Sequence, residues 1–366
     1  MAEQKLNFFW ADPDMVELRA AIRRNLDLEW AESPSDSSAP TTPQGSVAVA
    51  SLDALQAQLT QAIAAAKQPP AFDVTALQGQ PELALTVQNL HNGILSDHPE
   101  YKYAYDMEVS IGTDGLLRCV VSYMPYRTGS YPAGFRGTEV ASLSDLVQAA
   151  RDGLSQESIP IRITNASMKV DDMNRALQQA GGGWLLCQLS RDSTAITVTP
   201  QGGLTREQAL KRLSDTEKLA QRVYQETVSA GMEELEQAEA LYTYLTEEVR
   251  YDFRYYGKPG EMPYASTTAY GALQDHLAIC GGYAQAFQLL LEQAGIPCIT
   301  VSGSLSGENH MWALARIDGE WLYFDPTSDR GRAAYGFEFC GVEAGGLTRH
   351  TWDQDQALKM AQAIYP

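Results

Sequence analysis

Ala278-Ile279-Cys280-Gly281-Gly282-Tyr283-Ala284, Asn309-His310-Met311-Trp312 and Tyr323-Phe324-Asp325-Pro326-Thr327 follow one another in the last third of the chain. Singly, each has a plain explanation. A lone cysteine is most often a small buried hydrophobe, a lone histidine a surface residue, and an aspartate before proline a turn. The order and spacing of the three point to chemistry.

Residues 281–294 carry a helical period, with Ala284, Phe287, Leu291 and Ala294 on one face. Gly295-Ile296-Pro297 ends the helix. Cys280 is therefore placed at the helix N-terminus, where unpaired amides and the helix dipole favour the nucleophilic thiolate. The same amides, Gly281 among them, can hold an oxyanion on a substrate carbonyl. Gly281 and Gly282 are expected to leave the backbone beside the sulfur open to a substrate.

Downstream, 310–317 and 320–325 alternate like strands around Asp318-Gly319, a type I′ turn signal. A two-residue loop pairs Ile317 with Glu320 and sets Asp325 opposite Trp312. His310 and Asp325 then become diagonal neighbours on one face, within reach of a carboxylate–imidazole hydrogen bond. The expected arrangement is Cys280 as nucleophile, His310 as base and Asp325 as the group that orients it.

Composition narrows the alternatives. The chain has 366 residues, 44% of them hydrophobic, and a formal net charge of −19. It can build two or three domains, and its field repels nucleic acid and anionic lipid. Five cysteines without a CxxC pair give no disulfide framework or zinc ribbon. The five histidines show no metal-ligand spacing, so no metal and no cofactor is indicated. No apolar run is long enough for membrane insertion, and no export signal follows Met1. The compartment is expected to be cytoplasmic if the chain is complete, or secreted or cell-surface if a signal was removed.

Upstream of the motif, 12–28 reads as a helix and 33–46 as a Ser/Pro/Thr-rich linker. Next comes an order of elements that occurs twice, αβαββ. Helices open at Ser51 and Ser142, followed by β-favouring runs at 71–77 and 159–164. Second helices follow at 82–96 and 171–180, and then strand pairs at 101–111 with 116–126 and 184–190 with 195–199. Duplication and chance alternation of α and β both account for this. The Tyr/Pro/Gly-rich stretch 126–137 is a connection whose Tyr and Arg residues could line a binding surface. Two long helix patterns, 205–228 and 232–249, lead back to the motif. The fold class is α+β, with regions at 1–46 (helix and linker), 47–137 and 138–201 (two small modules) and 202–366 (the motif-bearing domain).

Together with Thr267-Thr268-Ala269-Tyr270-Gly271-Ala272-Leu273, Ala294-Gly295-Ile296-Pro297, Val301-Ser302-Gly303 and Trp321 to Thr327, the three stretches resemble the transglutaminase-like superfamily, with its papain-like cysteine-enzyme core. The likeness is greatest to bacterial members and covers about 237–329. A weaker likeness extends to His350-Thr351-Trp352-Asp353 and to Asp97-His98-Pro99-Glu100-Tyr101. It implies a papain-like fold and carries Cys280, His310 and Asp325 over as the catalytic residues. Tyr270, by its place before the nucleophile, is a candidate second oxyanion donor, with a packing role as the preferred reading. Trp312 is a candidate substrate contact, with core or cleft wall preferred to a substrate platform. Ala313 stands where many relatives have asparagine, which suggests a missing polar contact near the base. No calcium-site cluster of carboxylates is evident. His276, close to Cys280, is read as solvated.

The superfamily includes hydrolases, acyl transferases and inactive members. The leading reading is a cysteine-dependent hydrolase of peptide or isopeptide bonds, acting on a protein or peptide through a thioester. Alternatives are a protein-glutamine acyl transferase and a catalytically inactive binding or scaffold protein.

Overall fold

The computed structural model describes residues 45–366. The helix and linker expected within 1–46 lie outside the described residues, apart from the last two positions. Polar caps start the first helices as the sequence predicts. Ser51 accepts a hydrogen bond from the Ala54 amide ahead of α1 (Leu52–Ala64), and Ser142 forms a reciprocal capping box with Asp145 ahead of α3 (Leu143–Gly153).

Each of the two modules is a four-stranded sheet. The first contains β1 (Val47–Ala48), β2 (Phe72–Asp73), β3 (Ala104–Ile111) and β4 (Leu116–Tyr123), with α1 and α2 (Leu83–Asp97) between strands. The second contains β5 (Thr138–Val140), β6 (Ser158–Ile163), β7 (Leu185–Leu189) and β8 (Ala195–Pro200), with α3 and α4 (Val170–Leu177). Strand orders are β1-β2-β4-β3 and β5-β6-β8-β7, and the first pair in each is parallel. Each module is thus βαβαββ, one leading strand longer than expected. Two or three residues are too few to show an alternating pattern, which is why β1 and β5 escape sequence reading. The shared strand order is the topology that duplication predicts.

The stretch 126–137 ties the modules together. The Arg127 guanidinium lies over the Tyr103 ring at 4.3 Å and donates to the Ala166 carbonyl. The Tyr131 hydroxyl bonds the Ile163 backbone at both its carbonyl and its amide. These side chains are spent on structure, not on a binding surface.

In the C-terminal part, α5 (Arg206–Thr227), α6 (Glu234–Glu248) and α8 (Cys280–Gln293) cover one face of a sheet ordered β13-β12-β11-β14. Its strands are β11 (Cys298–Leu305), β12 (Glu308–Ile317), β13 (Glu320–Phe324) and β14 (His350–Thr351). Ala313, Ala315, Ile317 and Phe324 face the helices, while Trp312 and Leu314 belong to the opposite core with Ala361 and Ile364 of α9 (Gln354–Ile364). A short parallel pair, β9 (Arg250–Tyr251) with β10 (Leu277–Ala278), leads into α8, and α7 (Ala269–Gln274) precedes β10.

The second module docks through polar contacts. Arg151 pairs with Glu292 at 2.7 Å, and the Gln179 side chain bonds Thr300 of β11 through its amide (3.0 Å) and its carbonyl (3.4 Å). Among the described residues no helix is long and apolar enough to cross a membrane.

Candidate active site

Cys280 is the first residue of α8, after Ile279 in extended conformation. The Gly282 and Tyr283 amides are taken by the Ile279 carbonyl, which leaves the amides of Cys280 and Gly281 as the open donors at the start of the helix. Four other thiols (Cys119, Cys187, Cys298 and Cys340) are pushed up by burial, two of them to about 12. Cys280 is half-exposed. Gly282 is not an opening for substrate, contrary to expectation. It is buried, and a Cβ there would come within 2.9 Å of the Ser266 and Thr268 carbonyl oxygens. Its smallness lets the 264–267 turn pack on the start of the helix. Gly281, half-buried, would tolerate little more, with the Thr267 carbonyl 3.3 Å from such a Cβ.

The hairpin has the expected register, Ile317 with Glu320 through Ala313 with Phe324, and Asp318 and Gly319 both take positive φ. His310 and Asp325 therefore meet: Nε2 lies 2.9 Å from Oδ2. Nδ1 is the other ring nitrogen, and Cys280 is near enough to the ring to act on its pKa. Burial alone would depress the His310 pKa. The hydrogen bond to the Asp325 carboxylate, with its negative charge and the nearby Cys280, outweighs it and raises the value to about 10. Asp325 is wholly buried, which would raise its pKa, yet its hydrogen bonds to the two histidines and Ser328 hold it well below the usual carboxylate range.

Five hydrogen bonds converge on Asp325. Oδ1 accepts from the amides of Thr327 and Ser328 (3.1 and 3.2 Å), and Oδ2 accepts from Ser328 Oγ (2.5 Å) as well as His310. The last donor was not foreseen: His350 Nε2, 3.1 Å from Oδ2. β14 brings it in by pairing His350 with Leu305 of β11. Among the described residues, His310, Asp325 and His350 form a group whose ligand-type atoms lie within 4.8 Å of one another, and these hydrogen bonds account for that proximity.

Two candidate contacts are corrected. Trp312 is fully buried, so no substrate reaches it. It stacks beneath His310 (centroids 5.9 Å apart) and meets His350 and Trp352 edge-on. Tyr270 shows the packing alternative, with its ring under the Arg212 guanidinium at 4.5 Å and its hydroxyl 2.5 Å from Arg212 Nη1. With Trp184 and Tyr264 it lines a cavity of about 350 Å³. His276 is half-buried with φ +49°, its Nδ1 enclosed without a hydrogen-bond partner, so it is not simply solvated.

The Trp312 ring also explains Gly303. A Cβ there would strike the Thr351 carbonyl oxygen and come 2.6 Å from the Trp312 ring and 3.0 Å from Trp352 Cβ. Gly303→Ala is expected to cost about 1–3 kcal/mol, read as a lower urea midpoint. An unchanged midpoint would show that β14 does not press on this strand.

A family model described as the transglutaminase-like superfamily matches residues 221–326. Over these residues the chain is similar to the transglutaminase-like superfamily. Kyphoscoliosis peptidase of Mus musculus is 27% identical over 135 residues, 30% of this chain and 20% of its own length, so the chain spans about a fifth of that curated relative. Among solved structures, one described as a TGase has a TM-score of 0.29 at 15% identity, covering 63% of this chain and 65% of the other. The periplasmic domain of TgpA from Pseudomonas aeruginosa has a TM-score of 0.24 at 18% identity, covering 40% and 64%.

Against the transglutaminase-like pattern, the departure at Ala313 loses its force. Ala313 is fully buried on the helix-covered face of β12, packed in the core that includes Phe287 and Phe324. His310 is already oriented by Asp325 through Nε2, so its placement does not depend on a polar residue at 313. The wall beside Cys280 is aromatic. Burial, and then the negative charge of Cys280, raise the phenol pKa values of Tyr251 and Tyr255. Phe253 and Tyr256 next to them are 67% and 59% exposed. Asp252 anchors this loop beneath, paired with Arg254 (2.8 Å) and bonded by Ser266 Oγ (2.7 Å).

Proposed function

We propose that the protein is a cysteine-dependent hydrolase of peptide or isopeptide bonds. The observation that carries this reading is half-exposed Cys280 at the start of α8, near enough to His310 to act on its pKa, with His310 held by a 2.9 Å hydrogen bond to buried Asp325. Proton transfer from sulfur to His310 leaves a thiolate at a helix N-terminus facing an imidazolium. The thiolate attacks the amide carbonyl carbon, and the C–S bond forms as the carbonyl electrons move to oxygen, where the amides of Cys280 and Gly281 can receive the charge. The C–N bond breaks as His310 gives its proton to the leaving amine. Water, deprotonated by His310, then attacks the thioester and releases the acid and the thiol. Asp325 holds the ring in orientation throughout.

The exposed aromatic wall favours a second reading. Where bound substrate covers Phe253 and Tyr256 and excludes water, an amine can resolve the same thioester, which is acyl transfer.

Alkylation by iodoacetamide at pH 6, mapped by peptide mass, tests the shared first step. An ordinary thiol of pKa about 8.5 is roughly 0.3% thiolate at that pH. Cys280 is expected to react on the order of 10²-fold faster than free cysteine. A rate equal to free cysteine rejects both enzymatic readings and leaves a binding or scaffold protein. Amine incorporation into a glutamine peptide, with ammonia release, separates transfer from hydrolysis.

A further inference from the structure

We propose that His350 is a positioning residue that limits the basicity of His310 by competing for Asp325 Oδ2. This rests on the reading of Cys280 and His310 as nucleophile and base. The two imidazoles approach the same carboxylate oxygen, His310 at 2.9 Å and His350 at 3.1 Å. On its other side, His350 Nδ1 lies 2.9 Å from the Thr348 carbonyl oxygen. Both ring nitrogens of His350 thus face acceptors. A carboxylate oxygen can only accept, so the contact to Asp325 Oδ2 requires an N–H on Nε2.

Its side chain has no exposure to solvent. Trp312 and Phe339 close over the ring, at centroid distances of 5.0 and 5.3 Å. Of the titratable groups, Asp325 at the end of β13 and His310 on β12 face it, the His310 ring at 5.7 Å, and from its own segment it meets only the Thr348 carbonyl. An uncovered Asp325 would bind His310 as an imidazolium more tightly. The proton that the ring must return to a leaving amine would then be harder to release, because catalytic proton transfer works best when donor pKa and operating pH are not far apart. A second N–H on the same oxygen divides the carboxylate's charge. That lowers the basicity of His310.

The test is an NMR titration of the full chain carrying ¹⁵N-labelled histidine rings, with His310→Ala used to assign the His310 signal. This needs neither a substrate nor a reactive thiol. His350→Phe removes the donor while keeping an aromatic ring against Trp312 and Phe339. It is expected to raise the His310 midpoint by about one pH unit, a tenfold gain in proton affinity. His350→Gln keeps one donor and is expected to leave the midpoint nearer the wild-type value. A midpoint at or below wild type in His350→Phe overturns the proposal. If that variant does not fold, His350→Leu, which also lacks a donor, decides in its place, and an unmoved midpoint overturns it. The alkylation experiment judges the enzymatic reading separately, so slow Cys280 alkylation with a shifted His310 midpoint rejects that reading and keeps this assignment.

Discussion

Asp325→Ala is expected to lose about 3–5 kcal/mol of stability together with at least 10³-fold of any Cys280-dependent turnover. The carboxylate has no exposure and takes five hydrogen bonds. Its removal leaves two amides, a hydroxyl and two buried imidazoles without their acceptor, and each unpaired buried donor costs about 1–3 kcal/mol. Asp325→Asn preserves the volume but turns an N–H toward donors, so it is expected to fold better than the alanine variant and to be nearly as inactive. Urea denaturation with alkylation kinetics on both variants checks this. A loss under 1 kcal/mol for Asp325→Ala would mean that the donors find other partners.

His310→Ala should abolish the rapid alkylation of Cys280 at pH 6 while leaving its reaction near pH 10 largely intact, because at high pH the thiol ionises without help. The same variant has a pH signature in stability. The folded-state pKa of His310 is raised to about 10 from 6.5, so its favourable contribution is fully present below 6.5 and is lost as pH rises toward 10. Asp325, lowered from 3.8, contributes above that value and loses its contribution as pH falls below it. The stability difference between wild type and His310→Ala should therefore narrow from pH 6.5 to 10, as followed by denaturant midpoints. A constant difference across that range would show that His310 is not held as an imidazolium.

Most of this site is legible in sequence because its geometry comes from local rules. Gly295 and Pro297 end α8, which places Cys280 at its start, and Asp318-Gly319 sets the turn that aligns His310 with Asp325. What escapes depends on side-chain direction and on distant pairing. Trp312 looked like a wall because tryptophan beside a histidine is common to cores and clefts, and only the pleat of β12 turns it inward. Ala313 looked like a defect at the base because adjacency in sequence hides the alternation of faces. His350 could not be placed at all. It arrives on a two-residue strand too short to carry a period, after a long connection from β13. A signal did exist nearby, since Trp352 and His350 flank Thr351 in alternation, but nothing local says which strand they join. Ser328 was more accessible: a hydroxyl three residues after an aspartate, with proline between, is a common local partner in Asx-type turns.

The two bonds from the Gln179 side chain to Thr300 have a meaning for solubility. β14 pairs only with Ser304 and Leu305, so the 298–301 end of β11 has no strand on its outer side. Gln179 supplies a carbonyl and an amide to that bare ladder, as a neighbouring strand would. An open edge of this kind is a template for other chains. The second module thus covers part of an open edge, and a fragment beginning after β8 is expected to expose that edge to pairing with other chains.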